Sequence, residues 1–142
     1  MTFQNRAGVR TGPNIQSLLG FVFGAVYLIV GLAGFTVSGG HSFADHDGGK
    51  LLGIFMVNPL HNVAHLAVGA VLLGAAYAGA RTARLANITV GAVYLLLGVV
   101  GLFVLSSSAN ILALNSPDNA LHFASAIVLL GVGLAAPKVT AA

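Results

Sequence analysis

The sequence is poor in charged residues and lacks three residue types altogether. Of its 142 residues 6% are charged, comprising six Lys or Arg and three Asp, whereas a soluble domain carries about 25%. So few charges cannot cover the surface of a water-soluble monomer, and that class is excluded. The absence of cysteine excludes disulfides, thiolate metal sites, iron–sulfur clusters and a thiol nucleophile. Glutamate and tryptophan are also absent.

The formal net charge of +3 does not indicate a nucleic-acid partner. Nucleic-acid binding requires basic residues that cluster on one face of a domain. Here the basic residues are scattered along the chain in ones and twos. We therefore expect no nucleic acid as a partner, and we interpret the basic bias as a signal of membrane topology.

Hydrophobic residues make up 57% of the chain and are concentrated in four segments. Each segment has about 20 residues, which at 1.5 Å per residue crosses the hydrocarbon core of a bilayer. The predicted fold class is therefore an all-α membrane protein with four transmembrane helices in a bundle. The predicted spans are residues 15–37, 59–80, 86–105 and 117–136, with a polar arm at 1–14 and a tail at 137–142. Residues 51–57 are apolar but too short to span, which predicts an interfacial turn or a re-entrant segment.

Two stretches of sequence recur along the chain, which predicts an internal duplication. GAVYLIVGLAG, from Gly24, matches GAVYLLLGVVG, from Gly91, 67 residues later. NPLHNVAHLA, from Asn58, matches NSPDNALHFA, from Asn115, 57 residues later. We predict two parallel helix-hairpin repeats, residues 15–80 with an outer loop at 38–57, and residues 81–136. In this arrangement the first helix faces the third, and the second faces the fourth.

Small residues in the first and third spans predict close helix packing. In lipid, helices associate through small residues that let their backbones approach each other. We assign this role to six glycines: Gly20, Gly24, Gly31, Gly34, Gly98 and Gly101. The matched residues Tyr27 and Tyr94 are expected to make an interhelical contact rather than to carry chemistry.

The charged residues are sorted by side of the predicted membrane. One side carries five basic residues, and the other carries a single lysine, Lys50. The positive-inside rule therefore places both termini and the middle loop in the cytoplasm. All three aspartates and all five histidines fall on the outer side. The five cytoplasmic basic residues are Arg6, Arg10, Arg81, Arg84 and Lys138.

The second and fourth spans open with the densest polar motif of the sequence. Asn58 or Ser116 is a good N-cap, and Pro59 or Pro117 then occupies the first helical position. Asp118 in the first turn suits the positive end of the helix dipole. The capping and interhelical polar residues are Asn58, Pro59, Asn62, Asn115, Ser116, Pro117, Asp118 and Asn119.

Three histidines near the mouths of these helices allow several interpretations. His65 and His122 are matched positions, and His61 lies one turn before His65 on the same helical face. In one interpretation, neutral imidazoles hydrogen-bond across the bundle to the motif asparagines, to Ser125 or to backbone carbonyls. In another, His65 and His122 bind a haem iron from both sides, or share a transition metal with His61 and Asp118. A proton relay or an outer-face pH sensor is a third.

The motif N-P-L-H-N-x-x-H at the head of one helix, followed by N-x-P-D-N-x-x-H at the head of another, supports a resemblance. The chain resembles a family of small four-helix membrane proteins of actinobacteria and cyanobacteria, catalogued as a domain of unknown function. The resemblance extends over about residues 20–136. It implies a bacterial membrane protein and implies no particular chemistry.

Catalytic motifs are missing from the sequence. It contains no nucleophile motif, no paired carboxylates and no phosphate-binding glycine loop, so we expect no enzyme. The preferred prediction is a structural or accessory subunit that packs in the lipid bilayer against a larger membrane complex or its own copies. Two alternatives stay open: a haem- or metal-binding membrane protein that uses the outer histidines, and an oligomeric pore or small-molecule carrier.

Overall fold

The computed structural model describes residues 14–135, which form four α-helices and one short two-stranded sheet. Each helix is long and apolar enough to cross a membrane. The prediction of an all-α membrane bundle with four spanning helices is therefore confirmed. Residues 1–13 of the predicted arm (1–14) and the tail at 137–142, with Arg6, Arg10 and Lys138, lie outside the described residues. The helices are α1 (Ile15–Ser38), α2 (Pro59–Ala78), α3 (Ala80–Val104) and α4 (Ser116–Ala135).

The start of α3 differs from the prediction. The helix begins at Ala80, six residues before the predicted residue 86, so that Arg81 and Arg84 lie in its first turns rather than in a loop. Alanine, arginine and leucine in this stretch all favour helix, and long basic side chains reach the polar interface from a helix end. Gly79 alone separates α2 from α3, with φ +129°, a conformation that favours glycine.

A β-hairpin takes the place of the predicted interfacial or re-entrant turn. Strand β1 (Gly49–Leu51) pairs antiparallel with β2 (Phe55–Val57). The turn passes through Leu52 and Gly53, which both have positive φ. Pairing satisfies the backbone groups of a segment that is too short to span. The hairpin packs against α1 and α4.

Helix packing follows the order of the chain more closely than predicted. Within residues 14–135, α1 packs most extensively on α2, and α3 on α4. The predicted contact of α1 with α3 is present: the rings of Tyr27 and Tyr94 stack with their centroids 5.2 Å apart. The predicted contact of α2 with α4 is confined to side chains at the outer end, where the ring centroids of His61 and His122 are 5.8 Å apart. Along the rest of its length α2 packs on α3, to which the single residue Gly79 joins it. The contact of α1 with α4 is slight, so that side of the bundle is open.

All six predicted packing glycines lie against a neighbouring helix. A Cβ added at Gly34 would overlap the side chain of Asn62, and one added at Gly101 would overlap Asn119. These glycines are 67 residues apart and the asparagines are 57 apart, which are the offsets of the sequence matches. The two hairpins thus make equivalent contacts, and the duplication itself stays a prediction.

A polar network at the opposite end of the bundle was not anticipated from the sequence. The Gln16 side chain, fully buried, donates from Nε2 to the Val132 carbonyl at 3.0 Å. Asn87 Nδ2 donates to both the backbone carbonyl and Oε1 of Gln16, at 3.0 Å each. Arg84 Nε donates to the Gly133 carbonyl at 2.7 Å. These bonds join α1, α3 and α4 and satisfy carbonyls near the C-terminus of α4.

Candidate functional site

Asn58 fixes the start of α2 and ties it to both outer loops. Its Oδ1 accepts from the backbone N–H of His61 at 2.8 Å, an N-cap bond. Its Nδ2 donates to the carbonyls of Asp45 and Ile111, at 2.7 Å each. Pro59 follows as the first helical residue, where its missing N–H costs nothing. The position of His61 is therefore held by a fully buried residue with three hydrogen bonds.

The cap of α4 lies one residue earlier than predicted. Ser116 is the first helical residue, and Asn115 Oδ1 accepts from the backbone N–H of Asp118 at 3.2 Å. Asn115 Nδ2 also donates to the Ile54 carbonyl at the tip of the β-hairpin, at 2.8 Å. Asn115 is the cap because it precedes Asp118 by three residues, which is the spacing between Asn58 and the N–H that it caps, that of His61.

Three histidines from two helices converge at the outer end of the bundle. His61 and His65 of α2 and His122 of α4 each offer a ring nitrogen, and these nitrogens lie within 4.8 Å of one another. The ring centroids of His61 and His65 are 4.4 Å apart, and those of His61 and His122 are 5.8 Å apart. Each residue is at most 5% exposed. The cluster is therefore removed from bulk water.

A carboxylate completes the cluster. Asp118, in the first turn of α4, is 4% exposed. Its Oδ2 lies 3.8 Å from Nε2 of His61 and 3.8 Å from Nε2 of His122. These distances are too long for hydrogen bonds. The four groups thus face one another across a gap.

Most polar atoms of the cluster lack a hydrogen-bond partner. Among residues 14–135, none is found for either ring nitrogen of His61, for Nδ1 of His65 and His122, or for Asp118 Oδ2. A buried polar atom left unpaired costs about 1–3 kcal/mol. Five such atoms in one place are unusual in a folded protein, and a ligand that contacts one nitrogen of each histidine would remove part of this cost.

Among the described residues, the side chains that the hydrogen-bonding interpretation names make no hydrogen bond to the histidines. Asn62 Nδ2 donates to Ser38 Oγ at 2.9 Å, and Asn119 Nδ2 donates to the Gly98 carbonyl at 3.1 Å. Ser125 Oγ accepts from the Tyr27 hydroxyl at 2.6 Å. The asparagines therefore bind their own hairpin partners, α1 and α3, rather than the histidines.

Two tyrosines hold the imidazoles from the membrane interior. The ring centroid of Tyr27 lies 5.4 Å from that of His65, and the centroid of Tyr94 lies 5.1 Å from that of His122. The tyrosine rings also stack on each other. Aromatic contacts at these distances are favourable, so the pair limits the movement of the histidines.

Cavities adjoin the cluster on two sides. One, of about 410 Å³, is lined by α1, α4 and the β-hairpin, and includes His65, Asp118 and His122. Another, of about 100 Å³, is lined by His61, His65 and His122 together with residues of α3. The cluster thus has space beside it for side-chain movement and for a ligand.

The donor set fits a compact metal ion and does not fit haem. In tetrahedral zinc sites Zn–N is about 2.0–2.1 Å, which puts the nitrogens about 3.3 Å apart. The observed separation of up to 4.8 Å closes to this value with side-chain shifts of about 1.5 Å. A haem requires a flat macrocycle between axial ligands on opposite sides. The close packing of His61 on His65, and of Tyr27 on Tyr94, leaves no such slot.

Comparison with known proteins gives one finding. A family model described as a domain of unknown function (DUF4383) matches residues 18–135. No curated protein and no solved structure matches the chain. The match extends over all four helices and the β-hairpin, and therefore includes the whole histidine cluster.

Proposed function

We propose that this chain, which belongs to the DUF4383 family of unknown function, is a multi-pass membrane protein that binds one divalent transition-metal ion. The ligands are His61, His65 and His122, with Asp118 beside them. The observation that carries the proposal is the convergence of three buried imidazoles whose nitrogens lie within 4.8 Å of one another. Imidazole is the ligand that zinc, copper, nickel and iron sites share.

The ligand set narrows the class of metal. Three imidazoles and a carboxylate make a four-coordinate site of the kind that Zn²⁺ and Co²⁺ occupy. The negative charge of the Asp118 carboxylate offsets part of the charge of a dication. Thiolate-dependent sites, which suit softer ions such as Cu(I), are excluded because the chain has no cysteine.

The proposal includes the membrane and the orientation. We assign the protein to the bacterial plasma membrane with both termini in the cytoplasm and the metal centre at the outer end. The support is the positive-inside rule, because Arg81 and Arg84 lie at the start of α3 and Lys50 lies in β1, at the other end of the bundle. The metal centre then lies at the end of the bundle nearer the periplasm or the exterior.

A packing role is less well supported than metal binding. The prediction of an accessory subunit was motivated in part by small residues, glycine and alanine, that let helices approach closely, beside the small size of the chain and its lack of catalytic motifs. In the structure these glycines contact the chain's own helices, for example Gly24 against Gly69 and Gly98 against Phe123. Their small size is therefore used within the bundle. This observation favours the metal-binding alternative over the accessory subunit.

Metal analysis of the purified protein tests the proposal. The full chain, extracted in a mild detergent, is stripped with a chelator and titrated with Co²⁺ while its visible absorption is recorded. We expect one ion per chain and the absorption of a tetrahedral site. Replacing a residue that only hydrogen-bonds to a metal ligand costs 10–100-fold in metal affinity, and removing a ligand costs at least as much. We therefore expect each of H61A, H65A and H122A to lose at least about tenfold.

A histidine outside the cluster provides the control. His46 has a side chain 57% exposed, beside Asp45 and Asp47 in the outer loop. The variant H46A is expected to bind Co²⁺ as the unchanged protein does. Far-ultraviolet circular dichroism verifies that each variant is folded. Equal Co²⁺ affinity of the unchanged protein and of the variant lacking all three cluster histidines would refute the proposal.

A further inference from the structure

The open side of the bundle contains a cavity that reaches the histidine cluster. It lies between α1 and α4, whose mutual contact is slight, and has a volume of about 410 Å³. Its walls are apolar, with Val22, Val26 and Val30 on α1 and Leu121 and Val128 on α4. This volume is within the range of about 300–1,000 Å³ typical of small-molecule sites.

The cavity opens toward lipid rather than toward water. Val22 and Val26 are about half exposed, at 52% and 50%, and Leu121 is 48% exposed. All three lie in membrane-spanning helices, so their exposed surface contacts acyl chains. The β-hairpin, through Leu52 and Phe55, covers the outer end. A molecule dissolved in the membrane can therefore enter between the helices without crossing the aqueous phase.

One end of this apolar cavity is polar. His65, Asp118 and His122 line it, and each is more than nine-tenths buried. Nδ1 of both histidines and Oδ2 of Asp118 have no hydrogen-bond partner within residues 14–135. Cavities with apolar walls and a few convergent polar groups are typical ligand sites. The cavity thus suits an apolar body that carries one polar group.

The chemistry of the polar end selects the head group of that molecule. A carboxylate accepts hydrogen bonds and repels anions, and the residues that line the cavity include no lysine or arginine. Phosphate and carboxylate head groups are therefore disfavoured, and hydroxyl donors are favoured. Phe23, Tyr27 and Phe55 surround the cavity along with the imidazoles, which favours a planar aromatic ring.

From these observations we infer that the cavity binds a neutral, membrane-soluble hydroquinone, with its hydroxyls at the His65–Asp118–His122 end and its apolar part between α1 and α4. The inference concerns binding in the metal-free protein and does not depend on the proposed ion. It predicts that affinity depends on hydroxyl donors and on the open space beside Val26.

Three probes with the same carbon skeleton test the role of the hydroxyls. Duroquinol has two hydroxyl donors, duroquinone has two carbonyl acceptors, and durene has neither. Binding to the chelator-treated full chain in lipid nanodiscs is measured by equilibrium dialysis without oxygen. We expect duroquinol to bind at least tenfold more tightly than durene, and more tightly than duroquinone. Equal affinities for duroquinol and durene would overturn the inference.

Variants of the cavity wall test the location. V26W fills the cavity from α1, and V128W fills it from α4, so that a folding defect in one leaves the other to decide. The control is I29W, because Ile29 lies on the same helix, is 66% exposed and does not line the cavity. We expect V26W and V128W each to lose at least tenfold in duroquinol affinity, and I29W to lose none. Unchanged affinity in both wall variants would refute the location.

The two proposals fail separately. V26W and V128W leave the histidines in place and are expected to keep the Co²⁺ affinity of the unchanged protein. Loss of duroquinol binding with intact Co²⁺ binding supports a cavity whose apolar walls bind the hydroquinone and are not needed for the metal ion. Failure of Co²⁺ binding in the unchanged protein leaves the hydroquinone measurements valid, because they use metal-free protein.

Discussion

Replacing Gly34 with alanine tests the closest contact between α1 and α2. A Cβ at this position would overlap the Oδ1 and Cγ atoms of Asn62. The buried amide of Asn62 donates to Ser38 Oγ at 2.9 Å, so the side chain cannot move without losing that bond. The variant therefore perturbs packing and hydrogen bonding at one point, a single turn from the histidine cluster.

The expected magnitude combines three contributions to the free energy of unfolding. An interhelical hydrogen bond in a membrane protein contributes about 1 kcal/mol. Overpacking by an added methyl group costs about 1–3 kcal/mol. Alanine in a helix gains about 0.8 kcal/mol over glycine. The net loss for G34A is then about 2 kcal/mol.

Two other glycines provide a second test and a control. G101A is expected to lose a similar amount, because its Cβ would overlap the side chain of Asn119. Gly74, in α2, has no atom within 4 Å of an added Cβ among the described residues. For G74A only the helix-propensity gain remains, about 0.8 kcal/mol of stabilisation.

The assay is equilibrium unfolding of the purified protein in mixed micelles, titrated with SDS and followed by far-ultraviolet circular dichroism. The midpoint of G34A is expected to shift to lower SDS, and that of G74A to slightly higher SDS. If G34A and G74A unfold at the same SDS concentration, the close packing of Gly34 on Asn62 does not contribute to stability, and the reasoning is wrong.

Three further variants are measured in the same SDS titration. N58A loses the α2 cap and two partly buried hydrogen bonds to carbonyls, and we expect a loss of about 3 kcal/mol; an unchanged midpoint would contradict the role of Asn58 in joining the two outer loops. R84A loses the charged bond to the Gly133 carbonyl and should cost about 1.5 kcal/mol, whereas R81A, at an exposed position, should cost nothing measurable. Y27F loses the hydroxyl bond to α4 and should cost about 1 kcal/mol; a cost above that of N58A would show that the bond has been underestimated.

The spanning helices were predictable because length and apolar composition decide them. Each predicted span overlaps its helix, and the ends of α1 and α4 agree within one residue. The start of α3 was missed, since a stretch with Arg81 and Arg84 looks like a polar connection. The helix starts as early as Ala80 because residues 80–85 contain no proline or glycine that would interrupt it, and Gly79 precedes them. The two arginines therefore indicate where the chain meets the membrane interface, but they do not mark the end of a helix.

The candidate site was predictable in part. Helical spacing placed His61 and His65 on one face, and the matched motif placed His122 at the same depth, so the three residues were named from the sequence. The cavity between α1 and α4 was not predictable, because no local pattern reports a gap between distant helices. The β-hairpin was also missed, since its pairing depends on positive φ at Leu52 and Gly53 and its strands show no alternating pattern.

The histidine cluster draws its members from both halves of the chain. One helix pair supplies His61 and His65, the other supplies Asp118 and His122, and Gly79 alone connects the two pairs. A chain cut at Gly79 would leave neither piece with all three histidines of the cluster. If the proposed ion binds at the centre, it acts as a cross-link between the pairs, so that its binding energy opposes their separation. At a free ion concentration 100 times the Kd this coupling adds about 2.7 kcal/mol, a stabilisation that rises and falls with metal supply.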